Sequence, residues 1–287
     1  MQLSNAQVIN GQQTVRTIFE QSSKPKATVL VKVMQVPQDN YSNFVSRVVQ
    51  ATNWQNAIKH SDLIANDERQ IHIQKEFRKL RYQYIRKRQS KSEARREAGR
   101  TTKQVKRDEL AQAVAACELD PREIRSGVEH LFEMHYKTLF SHSDPYFYLV
   151  RWWLRRAATI RARGDSDRGY AKWLVMSAMW GHLAPTLSTR ANRQAFVSEC
   201  QLESGRLWDA LCKSLDKMYI VTHQFYVATN KKRQEGERLD ISRFYRDVKD
   251  LLTTFAPYWR SSANKQKRQF TKQLRIIGRE LDNALAG

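Results

Sequence analysis

A chain of 287 residues is long enough for two ordinary domains or one large one. Its 41% hydrophobic residues, with 7 Trp, 11 Tyr and 11 Phe, exclude a wholly disordered chain, and 10 Gly with 6 Pro exclude fibrous or low-complexity architectures. Lys and Arg number 50 against 29 Asp and Glu, a formal charge of +21 that repels itself unless an anionic partner is near, nucleic acid being the commonest.

Cys117, Cys200 and Cys212 form no C-x-x-C pair and no even set, which points to a reducing compartment. Residues 1–5 lack the basic segment and apolar run of a signal peptide. The most apolar stretch, Trp173 to Leu183, is interrupted by Ser177, Gly181 and His182 and falls short of the roughly 20 residues a spanning helix needs. A cytoplasmic protein without a membrane partner is expected.

In chain order, Gln7-Val8-Ile9 is a short apolar run ended by the Asn10-Gly11 turn signal, and Val15, Ile18 and Phe19 then recur at helical spacing. Ala27 to Val36 reads as a β-branched strand stopped by Pro37. Tyr41 to Gln50 reads as a helix with Phe44, Val45, Val48 and Val49 on one side. Asn66 is expected to cap a long helix whose apolar stripe runs through Ile73, Phe77, Leu80 and Tyr84. Residues 86–107 then hold ten Lys and Arg against Glu93 and Glu97, with almost nothing apolar. Such a run is either a flexible basic linker or a basic helix that needs a partner.

From Asp108 onward the pattern is helical. Asp144 with Pro145 opens a helix over Tyr146 to Ala162. Further helices are expected from about Tyr170, Asn192 and Arg206, then over Ile241 to Phe255 and Asn264 to Ala286, separated near Pro257. No long alternating segment follows residue 60. The expected fold class is α+β: a small N-terminal α/β unit of strand, turn, helix, strand and helix, then a basic helical connector and a mainly α-helical C-terminal domain. The domain boundaries are 1–88, 89–115 and 116–287.

Three groups of residues carry candidate chemistry. Asn10, Gly11, Gln12, Gln13 and Thr14 surround a tight turn at a helix start, where backbone N–H groups suit a phosphate. Asn53, Gln55 and Asn56 follow a helix, and their amides both donate and accept, which suits a base or ribose. The plainer alternative is that these residues cap helices and close turns. The second group, Arg86, Lys87, Arg88, Arg95, Arg96, Arg100 and Lys103, is the candidate nucleic-acid contact. Two more basic clusters are Arg151, Arg155, Arg156, Arg161 and Arg163 beside Trp152 and Trp153, and Arg260, Lys265, Lys267, Arg268, Lys272, Arg275 and Arg279 on or near the last helix. Trp152, Trp153, Trp173, Trp180 and Trp208 fall on apolar helical stripes and read as core.

Several ordered blocks carry a family resemblance. Val8-Ile9-Asn10-Gly11-Gln12-Gln13-Thr14, Leu30-Val31-Lys32-Val33, Ala51-Thr52-Asn53-Trp54-Gln55-Asn56-Ala57 and Asp62-Leu63-Ile64-Ala65-Asn66-Asp67 resemble the AIPR family of bacterial abortive-infection phage-resistance proteins. Phe77 to Arg88 looks like its continuation, so the resemblance covers about residues 3–90. It implies a role in anti-phage defence and supplies no reaction. Family members carry a long region ahead of the Asn-Gly-Gln-Gln-Thr block, so this chain is expected to be a C-terminal part, with an N-terminal half or a defence-operon protein as partner. The Asn-Gly-Gln-Gln-Thr and Thr-Asn-x-Gln-Asn blocks are also distantly similar to ParB/sulfiredoxin-like domains, which implies one nucleotide pocket lined by Asn10 to Thr14 and Asn53 to Gln55.

Arg125 and His130 fit the Arg-x4-His pattern of HEPN ribonucleases and are the candidate catalytic pair. His130 and Glu133 share a helical face, and His135 and His142 follow, but no H-E-x-x-H or paired-Cys spacing exists, so no metal site is expected. The GxxxxGK[ST], GxSxG and GxGxxG patterns are missing as well. The expected function is an anti-phage defence component that binds nucleic acid or nucleotide. The alternatives are a nuclease or nucleotide hydrolase, using Mg²⁺ if a nuclease, whose site the N-terminal half completes, or a non-catalytic interaction subunit.

Overall fold

A computed structural model describes residues 64–87, 103–248, 250–261 and 265–286, with isolated positions 19, 33, 44 and 47 before them. The chain divides into two compact units, residues 1–63 and 64–287. The expected N-terminal strand, turn and helices, with Asn10 to Thr14 and Asn53 to Asn56, lie outside the described residues, as do Arg88, Arg95, Arg96 and Arg100. The described residues of the second unit are mainly α-helical with one small parallel sheet.

Helix α1 (Glu68–Lys79) starts at Asp67, not Asn66, because the Asp67 carboxylate accepts the Arg69 backbone N–H. Its apolar stripe was expected to run on through Tyr84, but the helix ends at Leu80 and Arg81 turns left-handed, with φ of 62°. Strand β1 (Tyr82–Ile85) follows, with Tyr82 and Tyr84 facing inward on the alternation of a strand. It pairs in parallel with β2 (Lys103–Lys106), Tyr84 opposite Val105. Both strands come after residue 60, where no alternating run is long enough to reveal them. The pairing is secured on the core side, where the Tyr84 hydroxyl donates to Gln70 Oε1 at 2.6 Å and the Phe77 ring meets Tyr84 edge-on.

Helix α2 (Arg107–Glu118) starts directly after β2. Residues 103–115 of the expected connector are therefore β2 and most of a helix that buries Leu110, Ala111, Val114 and Ala115. Then come α3 (Pro121–Arg125), α4 (Val128–Leu139), α5 (Pro145–Arg161), α6 (Ser166–Leu183), α7 (Arg190–Gln201) and α8 (Arg206–Lys231). The segment expected as one helix from Ile241 to Phe255 is two, α9 (Ile241–Asp247) and α10 (Leu251–Ser261). The break falls at Val248 and Asp250, where the Asp250 backbone has a φ of 55°, whereas Pro257 lies inside α10. Helix α11 (Lys265–Ala286) closes the chain, packed along α8 and against α7.

Helix α5 is the axis of the unit. Asp144 caps it, accepting from the Tyr146 N–H, and Pro145 occupies its first turn. It packs against α1, α2, α6, α7 and α8, and is buried nearly all round from Phe147 to Leu154. The Trp153 indole N–H donates to the Tyr82 hydroxyl at 2.9 Å, tying the sheet to the axis. Arg151 sits in this apolar surround with its side chain 4% exposed. Its Nε donates to Glu118 Oε1 at 2.9 Å, a second nitrogen reaches the same oxygen, and a third donates to the Phe147 carbonyl at 2.6 Å. The guanidinium lies over the Phe147 and Trp180 rings, 3.4 and 4.1 Å from their centroids. Burial lowers the Arg151 pKa from its ordinary value, and the neighbouring Glu118 opposes that shift.

Removing one partner of such a pair leaves a buried cation without its counter-charge. Glu118 is itself at the edge of the core, 36% exposed, which lets water replace part of what it supplies. Glu118→Ala is expected to destabilise the protein by about 2–3 kcal/mol, below the cost of breaking a fully buried pair. Urea unfolding of the two proteins checks this, with an unchanged midpoint counting against the role given to Glu118.

Candidate functional site

The basic clusters separate sharply by what surrounds them. Within the cluster on α5, Arg151 pairs with Glu118, Arg155 with Glu109, Arg156 with Glu203, and Arg161 with Asp216. The candidate nucleic-acid residues near β1 and β2 behave similarly. Arg86 donates to Gln74 Oε1 and to the Ala65 carbonyl, and Lys103 pairs with Glu203 while lying over the Trp153 ring. Arg107 is buried over Phe132 with Asp108 beside it. Lys87 is exposed. Most of these cations hold the fold together and have little charge left to offer a ligand.

Helix α11 differs. Phe270, Ile277 and Leu281 are buried at spacings of seven and four, with Leu274 packed between them, which fixes how the helix lies on its neighbours. The opposite side carries Lys265, Arg268, Lys272, Arg275 and Arg279, all exposed, at alternating spacings of three and four. That row extends roughly 21 Å at 1.5 Å per residue. None of the five has an ion-pair partner among the described residues, whereas Arg206 reaches Glu280 on the same helix at 4.0 Å. The first turn of α11 has no acidic residue, so Lys265 and Arg268 crowd the positive end of the helix dipole.

A second feature lies where α3 and α4 meet. Asp120 caps α3, accepting from the Arg122 N–H, and Gly127, with φ of 97°, turns the chain into α4 through backbone geometry that side-chain-bearing residues rarely adopt. The turn brings Glu123 against two imidazoles of α4. Glu123 Oε2 lies 3.0 Å from His130 Nε2 and 2.9 Å from His135 Nε2. The two rings stand nearly perpendicular, their centroids 6.0 Å apart. Hydrogen bonds from His135 and then His130 lower the Glu123 pKa below the usual carboxylate value. An open cavity of about 420 Å³ borders the group, lined by Arg122, Glu123, Ser126, His130, Met134 and His135.

The candidate catalytic pair is arranged differently. His130 faces the cavity, but Arg125 is not among the residues lining it. The Arg125 terminal nitrogens are buried without hydrogen-bond partners, and burial depresses its pKa to about 10. Glu123 escaped the sequence reading and His135 was noted only as following His130, because the three residues together do not share one face of a single helix. The Asp120-Pro121 cap and Gly127 were the available signals for two helices meeting at an angle. His142, on the stretch before α5, stacks on Phe147 at 3.6 Å and stands apart from the group.

A family model described as AIPR protein matches residues 1–180 of the chain. No curated protein and no solved structure matches it. Among the described residues no helix is long and apolar enough to cross a membrane.

A carboxylate whose pKa falls on folding contributes stability that is present above its unfolded value, about 4.3, and is lost as the pH drops through the lower folded value. Glu123→Gln is therefore expected to be less stable than the parent at pH 7 and equal to it well below pH 4. Thermal melts across that range check the expectation. A stability difference that persists unchanged at pH 3 would contradict it.

Proposed function

Because the chain belongs to the AIPR protein family of abortive-infection phage-resistance proteins, we propose that it serves anti-phage defence by holding the phosphate backbone of nucleic acid along α11. The observation that carries this reading is the row of Lys265, Arg268, Lys272, Arg275 and Arg279 without ion-pair partners among the described residues. Each neighbouring pair along it is a like-charge pair three or four residues apart, which costs a helix roughly 0.2–0.5 kcal/mol. The row therefore weakens the helix that bears it. A polyanion relieves the repulsion and releases its own condensed counterions on doing so.

Row and phosphates meet as backbone contacts, which supply affinity and register without reading sequence. Helix α11 lies beyond the residues matched by the family model, so this face is a property of the remaining third of the chain. The amides of Asn10 to Thr14 and Asn53 to Asn56 suit the same ligand class, since they pair with phosphates and base edges. The overall charge of +21 draws any such polyanion toward the protein over long range.

The triple variant Arg268→Gln, Lys272→Gln and Arg275→Gln separates binding from folding. Its affinity for duplex DNA or single-stranded RNA is expected to fall, and the slope of log affinity against log salt to shrink by about three for a duplex. Its melting temperature at low salt is expected to stay level or rise, because the removed charges repelled one another. Fluorescence anisotropy at several salt concentrations reads the slope. An unchanged slope would remove α11 from the interface.

A further inference from the structure

We infer that Glu123, His130 and His135 form a binding site for a late first-row divalent metal ion, with zinc as its representative. Each residue offers one donor atom, and the three atoms lie within 4.8 Å of one another. Two imidazole nitrogens with one carboxylate oxygen is a donor set suited to zinc or to iron(II), with positions left open for water or substrate. Tetrahedral ligation at 2.0–2.2 Å separates neighbouring donors by roughly 3.3 Å. The observed separations of 3.0 and 2.9 Å require the carboxylate to retreat by a few tenths of an ångström. All three side chains are between a quarter and just over a third exposed.

Without an ion, the same distances correspond to both Nε2–H groups donating to Glu123 Oε2. Seating the ion requires each neutral imidazole to carry its proton on Nδ1 instead, an exchange through solvent that leaves the Nε2 lone pairs free and changes no net charge. The cavity of about 420 Å³ beside the group supplies the open side from which an ion enters. Arg122 at its rim is held by Asp120 at 3.0 Å and faces Asp250 at 3.5 Å, so carboxylates offset its repulsion of a cation. The site lies within the residues matched by the family model and is independent of α11.

Cobalt(II) is the probe, because its visible absorption reports coordination by nitrogen and oxygen donors. The full chain, freed of metal with a chelator, is expected to bind one equivalent of Co²⁺ with a saturable visible band that Zn²⁺ displaces. His135→Ala and Glu123→Ala are expected to lose that band, while His223→Ala, on exposed α8 surface away from the group, keeps it. Circular dichroism establishes that the variants remain folded. In the unaltered protein, Zn²⁺ is expected to move the ring resonances of His130 and His135 and leave His223 in place. No saturable band, an undiminished band in His135→Ala, or zinc shifts confined to other histidines would each overturn the assignment.

Discussion

The second unit is organised around a cation it cannot leave exposed. Arg151 lies in the middle of α5, among aromatic side chains that exclude water, and its hydrogen bonds go to Glu118 and the Phe147 carbonyl. The pairing fixes where α2 ends relative to α5, because Glu118 is the last residue of α2. From that junction the rest follows. Trp153, one helical half-turn on, holds the sheet through Tyr82, and the Tyr219 hydroxyl of α8 donates to the Ala158 carbonyl further along α5. A buried pair of this kind adds little net stability over an apolar substitute, but it penalises every packing that separates its partners.

Surface cations divide by whether a carboxylate of the fold pairs with them. Arg155, Arg156, Arg161 and Arg193 all find carboxylates on neighbouring elements, so their charges are consumed in packing helices together. Lys265, Arg268, Lys272, Arg275 and Arg279 on α11 find none among the described residues, although Glu280 and Asp282 lie on the same helix. A protein with 29 carboxylates and 50 Lys and Arg leaves some cations unpaired on arithmetic alone. The surplus is not scattered along α11, however. It is concentrated on one stripe at helical period, opposite the buried Phe270, Ile277 and Leu281.

Where the sequence was readable, the determining physics was local. Asp144-Pro145 marks the start of α5 because a cap and a fixed φ act within one turn, and the period of Phe270, Ile277 and Leu281 places α11 without any knowledge of its partner. Strand β1 was misread because Ile73, Phe77, Leu80 and Tyr84 satisfy a helical stripe, and the strand that draws Tyr82 and Tyr84 out of it lies some twenty residues downstream. The break before α10 was not expected, and Pro257, expected to separate two helices, lies inside α10. The earlier helix ends in the extended Val248 backbone and Asp250 turns left-handed just before α10, neither of which a residue pattern announces. The histidine group was hidden because it depends on the angle between two short helices. Membership of the AIPR family was legible in the motif blocks of the first 90 residues, a signal carried by residue order and not by packing.

Photo-crosslinking tests most directly the proposal that α11 meets nucleic acid. The full chain would be irradiated with a nucleic acid bearing photoreactive bases, and the attached peptides identified by mass spectrometry. Crosslinks on peptides from Lys265–Ala286, suppressed by high salt, are the expected result. Crosslinks confined to other segments, with α11 unlabelled under conditions where binding is measurable, would contradict it.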